Sequence, residues 1–469
     1  MTATSASSTV QHDRRTQRLL DAPILPLLIR MALPNVMIML AQASTGLIET
    51  FWVSKLGTNA LAGMALVFPV VTLMTTISAG AVGGAISSSI ARALGAGRRN
   101  EADALVLHAV VVNLVIGLAF SILFLIWGRR IYAALGGSGE ELEAAVLYSN
   151  VVFAGNVFTW LMNGLASVIR GTGNMLVPAM VTVLGVVFLV PVSPLLIFGA
   201  GPVPAMGIAG GGLALVLYYI AGMLVLGAYV ASGRNPARFR LKPLRWALFW
   251  GILRIGALSS VQSLLTNLVI AGSTAIIAAK LGVEAVAGFG TGIRLEYLLI
   301  PLVFGIGAPL VALVGTNMAA GQHRRARQIA LTGAVLAFTV TEVVGLVAAL
   351  FPVAWLTLFS AEPGMIDAGR AYLRIVGPFY GFFGLGLVLY FAAQGQQKLL
   401  MPLAAGLLRL TIALGGGWLA LWATDDIRAL YAALALGLVA YGSFMLLSAL
   451  RDPTGRAIPV PGEAKGIAP

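Results

Sequence analysis

The residues of this chain that could do chemistry sit inside apolar runs. Between Pro26 and Leu56, Asn35, Gln42, Thr45 and Glu49 share one face if the stretch is helical. Steps of seven residues drift by only about 20° on an α-helix, so Asn35, Gln42 and Glu49 stack nearly in line. Thr45 stands one turn before Glu49 on the same side. A carboxylate at bilayer depth costs about 2.5–3.5 kcal/mol, which a run this rich in Leu, Ile, Met and Phe can offset. A carboxylate kept there can bind and release a proton or a small cation. The plainer alternative is that Glu49 lies near the helix end and reaches the headgroups. A polar stripe three to four turns long argues for a watery cavity instead, because a lipid-facing helix keeps no such stripe.

The remaining ionisable groups within apolar runs are fewer. Arg294 and Glu296 are two apart and do not share a helix face, so each can pair with another helix. Arg409 is a natural partner for Glu296 or part of a cytosol-linked polar cluster, so Glu296 is either half of a structural ion pair or a second acid that binds a proton or cation. Glu342 has no motif around it and reads as a peripheral helix contact. His12, His108 and His323 fall outside the runs or at their ends. They offer no metal cluster and no base within the membrane.

The elements that must position these groups follow from composition. Of 469 residues 59% are hydrophobic and only 10% charged, with a mean hydropathy of +0.94, which excludes a soluble domain. The net charge of +13 is carried by arginines in short loops, a pattern of membrane orientation and not of nucleic-acid binding. Without cysteine there is no disulfide, thiolate metal site or thiol nucleophile. Residues 1–24 lack the apolar core of a removable signal segment, so the first helix is expected to stay.

Spanning runs recur at about 27–53, 63–90, 104–127, 144–168, 176–199, 207–231, 247–279, 286–316, 328–352, 369–393, 400–422 and 427–450. The expected fold is therefore all-α integral membrane, with twelve transmembrane helices in two six-helix lobes. The lobes occupy 25–231 and 247–450, joined by a linker at 232–246 and flanked by tails at 1–24 and 451–469. With both termini inside, 21 of the 30 Lys and Arg fall on the inner side, including Arg456 and Lys465 of the C-terminal tail. Seven fall outside, a bias that predicts cytoplasmic termini.

The halves repeat. Lys55-Leu-Gly57-x-x-Ala-x-Ala-Gly63 matches Lys280-Leu-Gly282-x-x-Ala-x-Ala-Gly288, an offset of 225. Ala96-Gly97 matches Ala320-Gly321, Gly171…Pro178 matches Gly395…Pro402, and Tyr148 matches Tyr372, all at 224. With six spans per copy the repeat is parallel, the design of secondary transporters whose site lies between the copies. The mates of Asn35, Gln42 and Glu49 are Ser260, Asn267 and Thr274. Small polar residues in helices often only bond a neighbouring helix. Two matching stripes are better explained by one cavity lined from both halves. The acid itself is not duplicated.

Five stretches, taken in order across 25–450, resemble the multidrug and toxic compound extrusion (MATE) transporters. They are Ala-Leu-Pro34, Ile48-Glu49-Thr-Phe-Trp-Val-Ser-Lys-Leu-Gly57, Ala91-Arg-Ala-Leu-Gly-Ala-Gly-Arg98, Arg170-Gly-Thr-Gly-Asn174 and Arg294-Leu-Glu296. The resemblance implies cation-driven export of amphipathic, often cationic compounds, with no cofactor beyond the coupling ion. It implies a multi-pass protein of the inner membrane, read here as a monomer whose partners are its small-molecule substrate and the lipid bilayer, with no nucleic acid. It places Glu49 at the family's coupling-ion position. Leu189 and Ser193 stand where many relatives carry Asn and Asp, which argues against a multidentate Na⁺ site and for H⁺, with Na⁺ the alternative. A flippase for a lipid-linked saccharide is the rival within the superfamily. Such a flippase would want a more cationic cavity than Arg294 and Arg409 can supply. A membrane-embedded enzyme would need a convergent nucleophile or His/Asp set within the bilayer, and the sequence offers none.

Topology is testable directly. A reporter fused after Pro469 should be active only in the cytoplasm; activity confined to the periplasm would overturn the orientation.

Overall fold

The structure, a computed structural model, describes residues 13–451. His12, Arg456 and Lys465 lie outside the described residues. Among the described residues, eleven helices are long and apolar enough to cross a membrane. Counting the bent pair Gly139–Ala154 and Asn156–Gly171 as one span, with 48° between its arms, gives twelve. In chain order the spans are Ile24–Ser54, Thr58–Gly95, Arg99–Ala134, the bent pair, Leu176–Phe198 and Ile208–Ala231. The second six are Trp246–Leu281, Val283–Ala319, His323–Leu350, Pro363–Gln396, Leu400–Thr424 and Ile427–Leu450. The twelve-helix expectation holds.

The repeat is visible in the backbone. Gly57 and Gly282, three residues past the first span and one past the seventh, have φ of 107° and 83°. Gly97 and Gly321, past the second and eighth, have φ of 70° and 79°. Gly173 and Gln397, past the fourth and tenth, have φ of 81° and 60°. Left-handed residues end helices most cheaply as glycine, and five of these six are glycine. The fourth and tenth spans also break at matching depth, the fourth at Gly155 and the tenth at the single 3₁₀ turn Gly377–Phe379.

The chain packs as two compact units. Among the described residues, one comprises 13–263, 304–326 and 394–397; the other comprises 264–303, 327–393 and 398–451. In the first, Phe124 stacks on Phe153 at 4.4 Å and Phe120 on Trp160 at 5.6 Å. In the second, Tyr372 meets Phe289 and Tyr431 edge-on, each at 5.3 Å. The interhelical linker is tied to the opening turns of the third span. Asp103 accepts the Arg238 N–H at 2.8 Å, and Lys242 donates to the Asn100 carbonyl at 3.2 Å. The fully buried His108 accepts the Arg245 N–H at Nε2 (2.8 Å), while its Nδ1 meets the Ala104 carbonyl at 2.7 Å. That pattern assigns the neutral Nδ1–H tautomer.

Two spans relax into π-helix, at Ile77–Val82 and Thr411–Gly416. Such segments leave carbonyls short of donors, which other side chains must supply. The break in the tenth span is handled from the ninth. Glu342 accepts the Gly381 N–H at 2.7 Å, so this acid caps an irregular helix. Gly345 lies against the same break, where an added Cβ would stand 2.1 Å from the Gly377 carbonyl oxygen. Gly345→Ala should therefore lower the thermal unfolding midpoint, by the equivalent of about 1–3 kcal/mol or more, because backbone cannot step aside. Gly251 has nothing within 4 Å of such a Cβ, and Gly251→Ala should raise the midpoint by the equivalent of about 0.5–1 kcal/mol. Equal midpoints for the two variants in detergent would contradict this packing.

Candidate functional site

Glu49 is held between four spans of the first unit. It lies in the last two turns of the first span and is 1% exposed. The sixth span passes so close that a Cβ on Gly211 would stand 2.9 Å from Glu49 Oε2, with Ile197 and Val53 packed beside it. Ser193 of the fifth span, itself fully buried, faces the carboxylate, and Tyr148 of the fourth lies within its electrostatic reach. The approach of Ser193 does not reach hydrogen-bond geometry. Both Glu49 oxygens and the Ser193 hydroxyl are buried without a partner. An ionised carboxylate so placed is expensive, and uptake of a proton removes most of that expense.

The rest of the expected stripes divides. Asn35 does not line an open space: it is fully buried and its amide donates to the Phe304 carbonyl at 3.0 Å. Its role here is to tie the first span to the eighth. Gln42 is half-buried and Asn267 exposed. Thr45, Ser260 and Thr274 turn their hydroxyls back to the carbonyls of Ala41, Gly256 and Ile270, at 3.1, 2.9 and 2.9 Å. Such back-bonding satisfies a small hydroxyl within its own helix.

The second unit contains a different acid site. Glu296, 3% exposed, accepts from Arg409 at 2.9 Å and from the Tyr372 hydroxyl at 3.3 Å. Tyr380 donates to the Tyr372 hydroxyl at 3.5 Å. Arg409 also lies over the rings of Phe383 and Tyr441, at 5.4 and 5.9 Å. A small cavity with room for about one water is lined by Glu296, Tyr372, Arg409 and Ser273. Arg294 is not part of this cluster; it is exposed and its guanidinium lies over Phe359 at 5.4 Å.

The sequence reading missed Ser193 as a neighbour of Glu49, and missed Tyr148 and Gly211 altogether as parts of its surroundings. Two signals were available. Tyr148 and Tyr372 are repeat mates, and each stands beside the acid of its own half. The run Gly210-Gly-Gly212 marks a helix that lets something approach its backbone closely.

Arg409→Leu should cost about 3–5 kcal/mol of stability by leaving Glu296 buried and unpaired. The double change Glu296→Leu with Arg409→Leu should recover most of it. If the single variant unfolds at the same point as the double, the pair is not the buried interaction described here.

The comparisons with known proteins agree with this architecture. The MatE family profile matches residues 34–195 and again 259–419, so the two matches begin 225 residues apart. A protein of Shewanella oneidensis named FAD transporter is 28% identical over 399 residues, covering 84% of this chain and 87% of its own. Deinococcus radiodurans has a relative named "Probable multidrug resistance protein NorM", 29% identical over 408 residues and covering 81% and 84%. A crystal structure of MATE in the bent conformation superposes with a TM-score of 0.86 over 94% of this chain and 97% of that one, at 23% identity. An outward-facing multidrug resistance MATE family transporter of the MOP superfamily gives 0.83 over 94% and 98%, at 22% identity. With the family's profile met once in each half, the chain belongs to the MatE family of multidrug and toxic compound extrusion transporters.

Proposed function

We propose that this chain is a secondary active exporter that moves amphipathic, often cationic compounds out of the cell in exchange for protons, by alternating access. The observation that carries the reading is Glu49, a fully buried carboxylate with neither oxygen partnered, in a chain of this family. On the proposal, a proton reaching Glu49 neutralises it and eases closure of the helices around it. Exposure to the other side, or arrival of a cationic substrate, favours release of the proton. A gradient drives the cycle only through such differential binding between states. The surroundings favour H⁺ over Na⁺, because Ser193 and Tyr148 offer a sodium ion few oxygens beside the carboxylate. Glu296, already neutralised by Arg409, is assigned a structural role.

The same proposal puts the protein in the inner membrane as a monomer, with both termini and the linker cytoplasmic, and needs no cofactor besides the coupling ion. A second reading is favoured by the relative named FAD transporter, which would make the substrate a flavin nucleotide. Such an anion would not compete with protons for one carboxylate, so its flux would lack the mutual inhibition expected of a cationic dye.

The test uses proteoliposomes under separately imposed proton and sodium gradients, with a cationic dye and FAD as alternative substrates. Glu49→Gln keeps the size and removes the titration, so it should fold normally and reduce gradient-driven flux to background. Glu49→Asp should retain part of the flux, and Glu296→Gln should be less harmful than Glu49→Gln. Normal pumping by Glu49→Gln together with stalling by Glu296→Gln would move the coupling site to the second unit.

A further inference from the structure

The fourth span ends in Arg170-Gly-Thr-Gly173 and the tenth in its repeat mate, Gln394-Gly-Gln-Gln397. Both ends meet the second span, and all of these residues belong to the first compact unit. The meeting point is the π-helical segment Ile77–Val82 and the helix that follows it. Arg170 donates to the Ala79 carbonyl at 3.4 Å and to the Ser167 hydroxyl at 2.7 Å. From the other repeat, the fully buried Gln394 donates to the carbonyls of Gly80 and Ala81, at 3.3 and 3.5 Å, and to the Ser259 hydroxyl at 2.9 Å. Repeat mates thus hold neighbouring carbonyls of one π-segment. The two glycines that follow make room for them. A Cβ on Gly83 would stand 2.5 Å from Ser167 Oγ, and one on Gly84 2.3 Å from the Gln394 amide.

The tenth span goes further than its mate. Its next three residues are all stitched to the second span. Ser88 donates to the Gly395 carbonyl at 3.2 Å, Arg92 to the Gln396 carbonyl at 3.4 Å, and Gln397 to the Ser89 hydroxyl at 3.2 Å. Gln397 has φ of 60°, at the position where the first repeat has glycine. A glutamine held in that conformation is strained, and the strain is tolerated only while something fixes it. Here the side chain itself is fixed, by Ser89. The seam closes on the repeat axis: Ala91 and Gly315 are 224 residues apart, and a Cβ on Gly315 would lie 3.3 Å from that of Ala91. Repeat mates that touch each other can do so only near the axis relating the two copies. Beside them Thr316, 1% exposed, donates to the Ala91 carbonyl at 3.4 Å.

We propose that Gln394–Gln397 is a latch that closes the linker-bearing end of the transporter, and that its release from the second span is the step that opens this end. The proposal rests on the alternating-access reading above. Its chemistry suits a reversible closure. The bonds are neutral amide and hydroxyl contacts for the most part, each modest in net strength and remade with water when the end is wet. Strain at Gln397 opposes permanent closure. The Arg170 clasp, contained within one repeat, would stay shut throughout.

The experiment exploits the cysteine-free chain. Thr316→Cys serves as reporter, labelled by a water-soluble maleimide from the linker side. Adding Gln394→Ala or Gln397→Ala should speed labelling by roughly fivefold per hydrogen bond removed. Unchanged rates in both, with the proteins monodisperse, would overturn the latch. In a second arm, Ser89→Cys with Gln397→Cys is bridged by a short thiol cross-linker. Flux should stop on bridging and return on reduction; bridged protein that transports at the unlinked rate would overturn the proposal. A wild-type chain without gradient-driven flux would count against the exporter reading instead, and the labelling arm, which needs no flux, would still decide the latch.

Discussion

Hydrocarbon supplies no hydrogen bonds, so every backbone or side-chain polar group placed within it must find a partner in the protein. This constraint explains most of the irregular features of the chain. The π-segment in the second span is held by Arg170 and Gln394. At the break in the tenth, Glu342 takes the loose Gly381 N–H. Thr45, Ser260 and Thr274 bond their own helices. Glu296 has Arg409 and Tyr372. Against that background Glu49 is the one buried carboxylate among the described residues with neither oxygen partnered.

The duplication separates scaffold from chemistry. Left-handed helix ends, matching breaks in the fourth and tenth spans, and the pair Tyr148 and Tyr372 are kept in both copies. The buried acids and the arginine that pairs with one of them are not. Thr274 stands where the first copy has Glu49. At offset 224, Arg409 corresponds to Gly185, whose Cβ would stand 2.3 Å from the Tyr218 ring, leaving no room there for a guanidinium. One copy therefore carries an acid without a counter-ion and the other an acid with one. Removing either member of a pair as close as Glu296 with Arg409 strands the other charge in a dry site.

Much of this was legible before any coordinates. Twelve spans follow from hydropathy, the repeat from an offset of 224 or 225 kept at four sites, and the singling out of Glu49 from the cost of a carboxylate in an apolar run. Other features were hidden for physical reasons. A π-segment has no sequence signature distinct from an α-helix, because its cause is tertiary: a carbonyl finds a better donor on another span. Asn35 was read as cavity-lining because periodicity gives the face a residue occupies and not what covers that face. Ser193 was read as the loss of a family acid. Such a reading omits that the Ser193 hydroxyl faces Glu49, where it can offer a hydrogen bond although it cannot replace a ligand charge.

The contrast between the two ends of the repeat bears on how a duplicated scaffold becomes a machine. If both copies ended their fourth helix in the same way, each would hold the second or eighth span equally, and nothing would favour parting one contact over another. The first copy ends in Arg170 and glycines, bonded within its own repeat and unstrained at Gly173. The second ends in glutamines that reach across to the other repeat, with Gln397 in a conformation that glycine would adopt freely. The same fold thus acquires one contact built to stay and one built to let go. The substitution of glutamine for arginine also matters for the dielectric. A guanidinium pulled from its carbonyls inside the membrane would strand a charge, whereas an amide released from the same place strands only a dipole. The neutral side chain is the one that can afford to move.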